Sequence, residues 1–459
     1  MEKCLIKGDF EEVESTVLSL VKPSSRQILI LASFFNWIKR TLQQCLEKKD
    51  IKARIELEGS LAKGTILNDK WEIDVFVIFE DKTKEWIERK AEDLLKSCMK
   101  TNMPYTIKYS QHPYITVQVA GLEADIVPVV DIEKIQGDVG VERTPLHTRF
   151  MKKNLTRKHQ DEIRLLKSFL KGIGVYGAES HIRGFSGYLA EVLVYHYGSF
   201  RNVLEAASSW KPGTYIDPLG NADPRFLGEK YKDSVLIVVD PVDPTRNAAA
   251  SVSLESLSKF VIASKLYLSR PNTSFFHVCG SKLAHLLGSK TIPGTHLLRT
   301  TCVADLTETP PEIIWSKLVK IGQIAGDVLL KNDIQVYSIF IGTDEVKTLE
   351  LSLLLDRCEP KEHEIMRGPT AWMKTESLIR FFEKRSKENS IIVFSKDRIL
   401  GIRQRKTMVS PDQIISNIIR NEIHDARCEV ACMRCDDIRG EECDPTPVWI
   451  KYTLETLGP

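Results

Sequence analysis

The sequence feature that most constrains this chain is the stretch EGSLAKGTILNDKWEIDVFVIFE, residues 58–80. A glycine-rich turn precedes Glu72 and Asp74, and these acids open a run rich in Val, Ile and Phe. Such a run predicts a β-strand. Because side chains alternate along a strand, we expect both carboxylates on one face and Ile73 and Val75 on the other.

Two carboxylates on one strand face repel each other, and burying both is costly without a cation between them. Mg²⁺ suits them because it prefers oxygen ligands and keeps positions open for phosphate oxygens. The apolar run LEADIVPVV supplies a third acid, Asp125. Glu123 lies nearer the hairpin turn that Ala120-Gly121 predicts, and it is expected to be solvated. Glu72 and Asp74 could instead form the exposed face of an edge strand. The preceding turn and Asp125 favour the metal site.

The turn itself has the residues of a phosphate-binding loop. Gly59 allows close backbone approach, Ser60 offers a hydroxyl and an N–H, and Lys63 carries a charge that phosphate attracts. Gly64 and Thr65 close the turn. The chain does not have the G-x-x-x-x-G-K-[ST] or G-x-G-x-x-G pattern here, which excludes a P-loop or a dinucleotide fingerprint at this site.

The length of 459 residues predicts several domains. Strand-like and amphipathic helical runs alternate up to residue 146, which indicates an α+β or α/β first domain. Residues 147–256 are mostly helical in pattern, with a short strand and a proline-broken loop at SVLIVVDPVDPTRN. Residues 257–459 mix helices with hairpin-like runs such as SIIVFSKDRILGIRQRK. We therefore predict a multidomain α+β protein.

Composition adds few constraints on the partners. The formal net charge is +2, so any nucleic-acid partner requires a local basic strip. The sequence has no apolar run of the roughly 18 residues that a membrane helix needs, and its N-terminus does not resemble a signal peptide. The ten cysteines are mostly scattered, which indicates a reducing, cytoplasmic setting.

Four cysteines cluster near the C-terminus with the spacing C-x3-C-x2-C-x7-C. Four thiolates at this spacing are one way to bind Zn²⁺, but the spacing lacks paired C-x2-C knuckles. Disulfides or a packed helix with apolar thiols are the alternatives. We expect no metal at these residues, which are Cys428, Cys432, Cys435 and Cys443.

The order G-S, short gap, acid-x-acid and later Asp resembles the nucleotidyltransferases of the DNA polymerase β superfamily. The fuller string GSLAKGT, EIDVFVIF and EADIVP resembles the archaeal-type, class I CCA-adding enzymes, which are tRNA nucleotidyltransferases. The resemblance continues in RTPLHTRF, EIRLLKSFLKGIGVYGAE, IRGFSGYLAEVLVYHYGSF and VDPVDPTRNAAA. It is strong over about residues 30–260 and thin beyond, apart from RGPTAWMK. The family more often has Arg where this chain has Lys63, which keeps the charge but loses bidentate binding.

The resemblance implies a polymerase-β-like head with a mixed sheet at residues 1–146, a helical neck at 147–256, and an α+β body and tail at 257–459. It implies template-independent addition of C, C and A to the tRNA 3′ end from CTP and ATP, with two Mg²⁺ ions, and a homodimer. The tRNA 3′ end and acceptor arm would be the partner. We expect the basic strips 151–158 and 396–406 to meet its phosphates.

The resemblance also implies roles for individual residues. Glu72, Asp74 and Asp125 would be the catalytic metal ligands, and Asp125 would assist as the base. The nucleotide would contact Ser60, Lys63, His147, Lys167, Tyr176 and Arg246. Without the resemblance, the last four residues are also compatible with ordinary structural roles. For Arg246 that alternative role is a surface salt bridge with Asp240 or Asp243.

Three other functions remain compatible with the same acids. A poly(A) polymerase or an oligoadenylate synthetase-like enzyme would share them, and a catalytically silent protein on this fold would only bind RNA. A small-molecule nucleotidyltransferase is disfavoured because the long C-terminal part would have no task. Processive growth beyond three nucleotides would distinguish the polymerases, and the lack of Mg²⁺-dependent turnover would indicate the silent protein.

Overall fold

The computed structural model describes residues 8–99, 103–109, 113–131, 140–277, 292–388, 390–405, 410–423, 425–437, 443–445 and 451. The chain divides into two compact units, residues 1–287 with 447–459 and residues 288–446. Each is described by itself, and the finer division into head, neck and C-terminal part stays a prediction.

The first unit contains a mixed sheet that carries the predicted acids. Its strands are β1 (Ala53–Glu58), β2 (Glu72–Phe79), β3 (Tyr105–Tyr109), β4 (Pro113–Val119) and β5 (Leu122–Val130). The strand order is β1-β2-β5-β4-β3. β2 runs parallel to β5, and the other neighbours are antiparallel. The predicted Ala120-Gly121 hairpin turn between β4 and β5 is confirmed, with positive φ at both residues.

Helices cover one face of this sheet. They are α2 (Ser25–Lys48), α4 (Lys84–Trp86), a π-helical turn (Ile87–Ala91) and α5 (Glu92–Cys98). The short helix α3 (Gly59–Ala62) directly follows β1, and the first helix, α1 (Phe10–Val21), packs in the helical region described below. The apolar stripe of α2 packs on alternate residues of β2, including Ile73 and Val75. Because those positions point into the core, Glu72 and Asp74 belong to the opposite face.

A mostly helical region follows in the same unit. Its helices are α6 (Thr144–Asn154), α7 (Arg157–Gly172), α8 (Gly187–Tyr197), α9 (Phe200–Ala207), α10 (Pro224–Lys230) and α11 (Leu254–Ser269), with 3₁₀ turns at Val141–Arg143 and Thr273–Phe275. Their core is aromatic, with Phe169, Phe200 and Tyr267 fully buried and packed mostly edge to face.

A small sheet in this region corrects one local prediction. The strands β6 (Thr214–Ile216), β7 (Leu236–Asp240) and β8 (Asp243–Asn247) follow the order β6-β7-β8. The segment DPTRN was expected to be a loop, but it is the edge strand β8. Pro244 is tolerated there because an edge strand leaves some N–H groups without a ladder partner.

The second unit contains two further sheets. Its elements are β9 (His296–Val303), α12 (Pro311–Lys331), β10 (Val336–Thr343), β11 (Thr348–Leu355), β12 (His363–Thr370), α13 (Thr375–Ser386), β13 (Ile391–Ser395), β14 (Arg398–Gln404), α14 (Pro411–Glu422), β15 (Arg427–Arg434) and a 3₁₀ turn, Cys435–Asp437. The strand orders are β10-β11-β9-β15 and β12-β14-β13. The core between α12, α14 and the first of these sheets includes Leu318, Leu351 and Ile415. The predicted α+β class is confirmed.

The cysteines of the described residues are paired. The disulfides are Cys45–Cys98, Cys302–Cys428, Cys358–Cys432 and Cys435–Cys443. Scattered spacing suggested a reducing setting, yet residues far apart in sequence meet in the fold. In the C-terminal cluster the structure therefore has disulfides, and β15 is a strand rather than the packed helix considered above.

Among the described residues, none of the helices combines the length and the apolar character that crossing a membrane requires.

Candidate active site

The three predicted acids lie on the same open face of the first sheet. Glu72 and Asp74 are at the start of β2, and Asp125 is directly opposite Asp74 on the parallel strand β5. Thr116 of β4 donates its hydroxyl to Asp125 Oδ1 at 2.6 Å. Strand alternation and register thus place three carboxylates from two strands next to one another.

This group of acids is short of positive charge. Burial, and then the negative charges of Asp125 and Glu72, raise the pKa of Asp74 to about 6. The charges of Lys63 and Lys70 oppose this shift. Burial also raises the pKa of Asp125, against the hydrogen bond from Thr116. A cation between the carboxylates would reverse these shifts, because it favours their charged forms.

Glu123 differs from the other acids because it already has partners. It lies opposite Glu72 on β5 and accepts hydrogen bonds from Lys108 Nζ at 2.7 Å and Gln118 Nε2 at 3.0 Å. Partial burial opposes ionisation, but these bonds lower the pKa of Glu123. It is therefore half-buried and paired rather than solvated.

The acids provide the donor set that Mg²⁺ requires. Their ligands are oxygens only, and the repulsion among them leaves a divalent cation as the missing charge. Among the described residues, no group of three His, Cys, Asp or Glu side chains is already arranged to hold a metal ion. Glu72 instead pairs with Lys70, and Asp125 accepts a hydrogen bond from Thr116. The donors fit Mg²⁺, and Glu72 has to exchange Lys70 for the metal.

The glycine turn passes directly beside Asp74. Gly59 has φ +66°, and a Cβ there would lie 1.8 Å from Asp74 Oδ2. Only glycine satisfies both the positive φ and the close approach. Ser60 follows in α3, half-buried, and its carbonyl accepts from the N–H of Thr65 at 2.9 Å. The predicted phosphate-binding turn therefore borders the acids.

Lys63 and Lys167 share one buried carboxylate, Glu191 of α8. Lys63 Nζ lies 2.5 Å from Glu191 Oε2, and Lys167 Nζ lies 3.0 Å from Oε1. Thr65 donates its hydroxyl to Oε1 at 2.6 Å. Burial opposes ionisation, yet Lys167 and Lys63 lower the pKa of Glu191 to about 2. The carboxylate is therefore charged and joins the turn to α7 and α8.

Tyr176 lies beside this group. A Cβ on Gly187 would be 2.8 Å from the Tyr176 hydroxyl and 3.6 Å from Lys167 Nζ, so both groups approach the start of α8. Lys171 Nζ lies 5.6 Å from the centre of the Tyr176 ring. Burial, and then Glu191, raise the pKa of Tyr176, so its hydroxyl keeps its proton and can donate.

His147 and Arg246 meet at a second buried carboxylate, Asp240 at the end of β7. Asp240 Oδ2 lies 2.9 Å from His147 Nε2 and 2.8 Å from an Arg246 guanidinium nitrogen. Tyr188 donates its hydroxyl to Oδ1 at 2.7 Å, and its ring stacks on His147 at 3.7 Å. The salt bridge considered as the alternative role of Arg246 is thus present with Asp240, but Asp240 is buried and the Arg246 side chain is 33% exposed.

Charges in this second group are unevenly distributed. Burial opposes ionisation of Asp240, but the bonds from His147 and Tyr188 and the charge of Arg246 lower its pKa to about 2. Burial also lowers the pKa of His147, more than Asp240 raises it. At neutral pH the imidazole is therefore uncharged, and its Nε2–H donates to Asp240.

Glu191 and Asp240 were not among the predicted site residues, although the sequence contains a signal for them. Each interrupts an apolar run, YLAEVLVY and LIVVD, as Asp125 interrupts LEADIVPVV. A charge inside such a run implies a buried partner. Sequence spacing does not identify that partner, since Lys63 and Glu191 come from distant segments.

Comparison with known proteins identifies the family. Residues 38–159 match the model of the nucleotidyltransferase domain, and residues 161–277 match that of the second domain of tRNA nucleotidyltransferases. The CCA-adding enzyme of Aeropyrum pernix is 39% identical over 403 residues, which are 86% of this chain and 84% of the relative. The chain belongs to the CCA-adding enzyme family.

Other relatives agree with this membership. The CCA-adding enzyme of Pyrobaculum aerophilum is 34% identical, with 86% of this chain and 90% of the relative covered. That of Pyrobaculum neutrophilum is 32% identical, with 86% and 89% covered. A solved structure of the Cid1 poly(U) polymerase is similar with a TM-score of 0.45 and 14% identity, covering 56% of this chain and 94% of that one. The predicted family, its nucleotidyltransferase fold and an enzymatic activity are confirmed.

Proposed function

We propose that this CCA-adding family member adds C, C and A to the 3′ end of tRNA without a template, from CTP and ATP. The observation that carries the proposal is the meeting of Glu72, Asp74 and Asp125 on one sheet face beside the Gly59 turn. The turn and the lysines behind it suit a triphosphate, and the acids suit the reacting α-phosphate.

Glu72, Asp74 and Asp125 would hold two Mg²⁺ ions, which supply charge neutralisation at the phosphates and acidify the attacking hydroxyl. The tRNA 3′-oxygen forms a bond to the α-phosphorus as the bond between that phosphorus and the bridging oxygen to the β-phosphate breaks. Pyrophosphate leaves with that oxygen. Asp125, fixed by Thr116, accepts the proton of the attacking hydroxyl.

The other site residues bind and orient the nucleotide. The Ser60 hydroxyl and the turn N–H groups donate to phosphate oxygens, and Lys63 and Lys167 balance the charge of the triphosphate. Tyr176 donates its hydroxyl nearby, because its raised pKa keeps it protonated. His147 and Arg246 face the base from the Asp240 side.

Base selection then depends on fixed donors and acceptors. Cytosine and adenine both offer an amino donor beside a ring nitrogen acceptor, whereas uracil and guanine offer a carbonyl beside an N–H. One arrangement can therefore accept C and A and leaves groups unpaired against U or G, which is how sites reject analogues strongly. Arg246 suits the donor role because it only donates, and Asp240 restrains one of its nitrogens.

The same proposal includes the roles of the domains, the oligomeric state and the cellular compartment. The head is residues 1–146, the neck 147–256, and the body and tail 257–459 hold the tRNA acceptor arm. The active species is a homodimer in the cytoplasm.

The test is incubation of the protein with tRNA that lacks its 3′ CCA and with each labelled nucleoside triphosphate. We expect Mg²⁺-dependent incorporation from CTP and ATP only, which stops after three nucleotides. Growth beyond three would indicate a poly(A) polymerase, and absent incorporation would indicate a silent RNA-binding protein.

A further inference from the structure

Glu191 is a fully buried acid near the proposed nucleotide site. Its exposed fraction is 0%, and its contacts come from two other segments of the chain. Thr65 and Lys63 belong to the glycine turn, while Lys167 belongs to α7. An unpaired carboxylate is costly to bury, so Glu191 can occupy this position only with these donors around it.

The cluster carries more positive than negative charge. One carboxylate faces two ammonium groups, and Lys63 and Lys167 are only 8% and 3% exposed. Water therefore does little to screen the surplus charge. Lys63 is also close enough to Asp74 to lower the pKa of that carboxyl, so the surplus charge borders the acids.

The geometry fixes both lysines rather than only neutralising them. The two ammonium groups bind opposite oxygens of the same carboxylate, Lys63 at Oε2 and Lys167 at Oε1. Lys63 also lies 5.7 Å from the centre of the Tyr188 ring. A lysine side chain has a flexible four-carbon stem, so without Glu191 neither Nζ would have a defined position.

We propose that Glu191 is a positioning residue that holds Lys63 and Lys167 as a pair of cations for the triphosphate of the incoming nucleotide. This inference rests on the proposed function and deepens it. Glu191 itself does not touch the substrate. It fixes the positions of the two charges before the nucleotide binds. Charges that are already fixed lose little conformational entropy when the complex forms.

A purely structural role for Glu191 makes a different prediction. If the carboxylate only neutralised buried lysines, its loss would reduce stability and leave the affinity of the folded enzyme for triphosphate unchanged. If it positions them, the folded variant loses triphosphate affinity, because the two lysine side chains must then become ordered when the triphosphate binds.

The experiment uses the full chain and inorganic tripolyphosphate as the probe, with titration calorimetry and steady-state kinetics. We expect Glu191→Gln to weaken tripolyphosphate binding about 10- to 100-fold, which is the cost of ordering two flexible side chains, and to raise KM for CTP and ATP more than it lowers kcat. The matched control is Glu14→Gln, which removes a buried carboxylate that accepts two bonds from Arg201 at 2.8 and 3.0 Å. This control should keep wild-type affinity.

A folded Glu191→Gln variant with wild-type affinity for tripolyphosphate overturns the inference. If that variant does not fold, Glu191→Asp keeps the charge and withdraws the carboxylate by one methylene. We expect weaker tripolyphosphate binding in this variant too, and unchanged binding would also overturn the inference. A wild-type protein that neither incorporates nucleotides nor binds tripolyphosphate would overturn the proposed function itself.

Discussion

At the scale of single residues, buried carboxylates organise the cations around the nucleotide site. Glu191 binds Lys63 and Lys167, and Asp240 binds His147 and Arg246. The three cations and the uncharged His147 are among the residues that were predicted to contact the nucleotide. Their roles in catalysis stay predictions, but each is held by an acid from another segment, which gives it a defined position.

Arg246 provides a prediction about base selection. We expect Arg246→Ala to lose at least about tenfold of the preference for CTP and ATP over UTP and GTP, because it removes a fixed donor. Arg246→Lys keeps the charge without the planar fork and should restore little of the preference. Competition kinetics with all four nucleoside triphosphates measures this preference in each variant. Full preference in the Ala variant would exclude Arg246 from base selection.

Glu58 provides a prediction about pH and stability. It is 2% exposed and lies opposite Asp74 in the β1–β2 ladder. Burial raises its pKa from 4.5 to about 7. A raised folded-state pKa stabilises the fold fully below about pH 4.5, and this contribution is lost as the pH rises through about 7.

The variant Glu58→Gln stays neutral at every pH. Relative to the wild type, it should therefore become more stable between pH 5 and pH 8, by up to about 3 kcal/mol. Thermal unfolding of both proteins across this range measures the difference. A difference in Tm that does not change with pH would show that Glu58 ionises normally in the fold.

At the scale of elements, the site depends on strand register and on covalent links. The alternation in EIDVFVIFE and the hairpin turn at Ala120-Gly121 are local patterns, and the sequence predicted both correctly. The register of β2 against β5 follows from tertiary packing, as does the pairing of DPTRN with β7. Local patterns therefore predicted the strand that carries Glu72 and Asp74, whereas packing decides which residues the buried acids Glu191 and Asp240 contact.

Two disulfides connect the strand β15 to other segments of the second unit. Cys428 and Cys432 of β15 are bonded to Cys302 of β9 and to Cys358, with sequence separations of 126 and 74 residues. A disulfide closing a long loop typically contributes about 2–4 kcal/mol. The spacing of cysteines in sequence could not predict these pairs, because neighbours across the sheet come from distant segments.

We therefore expect the double variant Cys302→Ser, Cys428→Ser to unfold at lower temperature than the wild type, and to respond less to a reducing agent. The matched control is Cys45→Ser, Cys98→Ser, which removes the link in the first unit. Alkylation followed by mass spectrometry counts the protected thiols. Free thiols at these positions in the untreated protein, with a Tm insensitive to reductant, would contradict the assignment.

At the scale of the whole molecule, the small net charge of +2 requires a local basic surface for tRNA. The strip 151–158 keeps Lys152, Lys153, Arg157 and Lys158 exposed. In the strip 396–406, Arg403 lies 2.5 Å from Glu364 and Arg405 lies 2.7 Å from Asp333, while Lys406 lies outside the described residues. These ion pairs reduce the expected contribution of the second strip to phosphate binding.

Salt dependence of tRNA binding tests this surface. Each of Lys153→Ala and Arg157→Ala should weaken binding and lower the slope of log K against log salt by about 0.7–0.9 if the residue meets a phosphate. Lys49→Ala, an exposed lysine at the end of α2, is the matched control. Unchanged affinity and slope in both strip variants would make the strip an ordinary solvated surface.

The central claim is that Glu72, Asp74 and Asp125 carry out nucleotide transfer to tRNA. Its most direct test is the single-turnover rate of labelled CTP incorporation into tRNA lacking CCA, in Asp74→Asn and Asp125→Ala. Glu123→Gln is the matched control, because Glu123 shares the sheet face but is paired with Lys108. We predict a loss of at least about 10²–10³ in rate in both acid variants, with tRNA affinity retained and the control near wild type. Near-normal rates in Asp74→Asn or Asp125→Ala would contradict the claim.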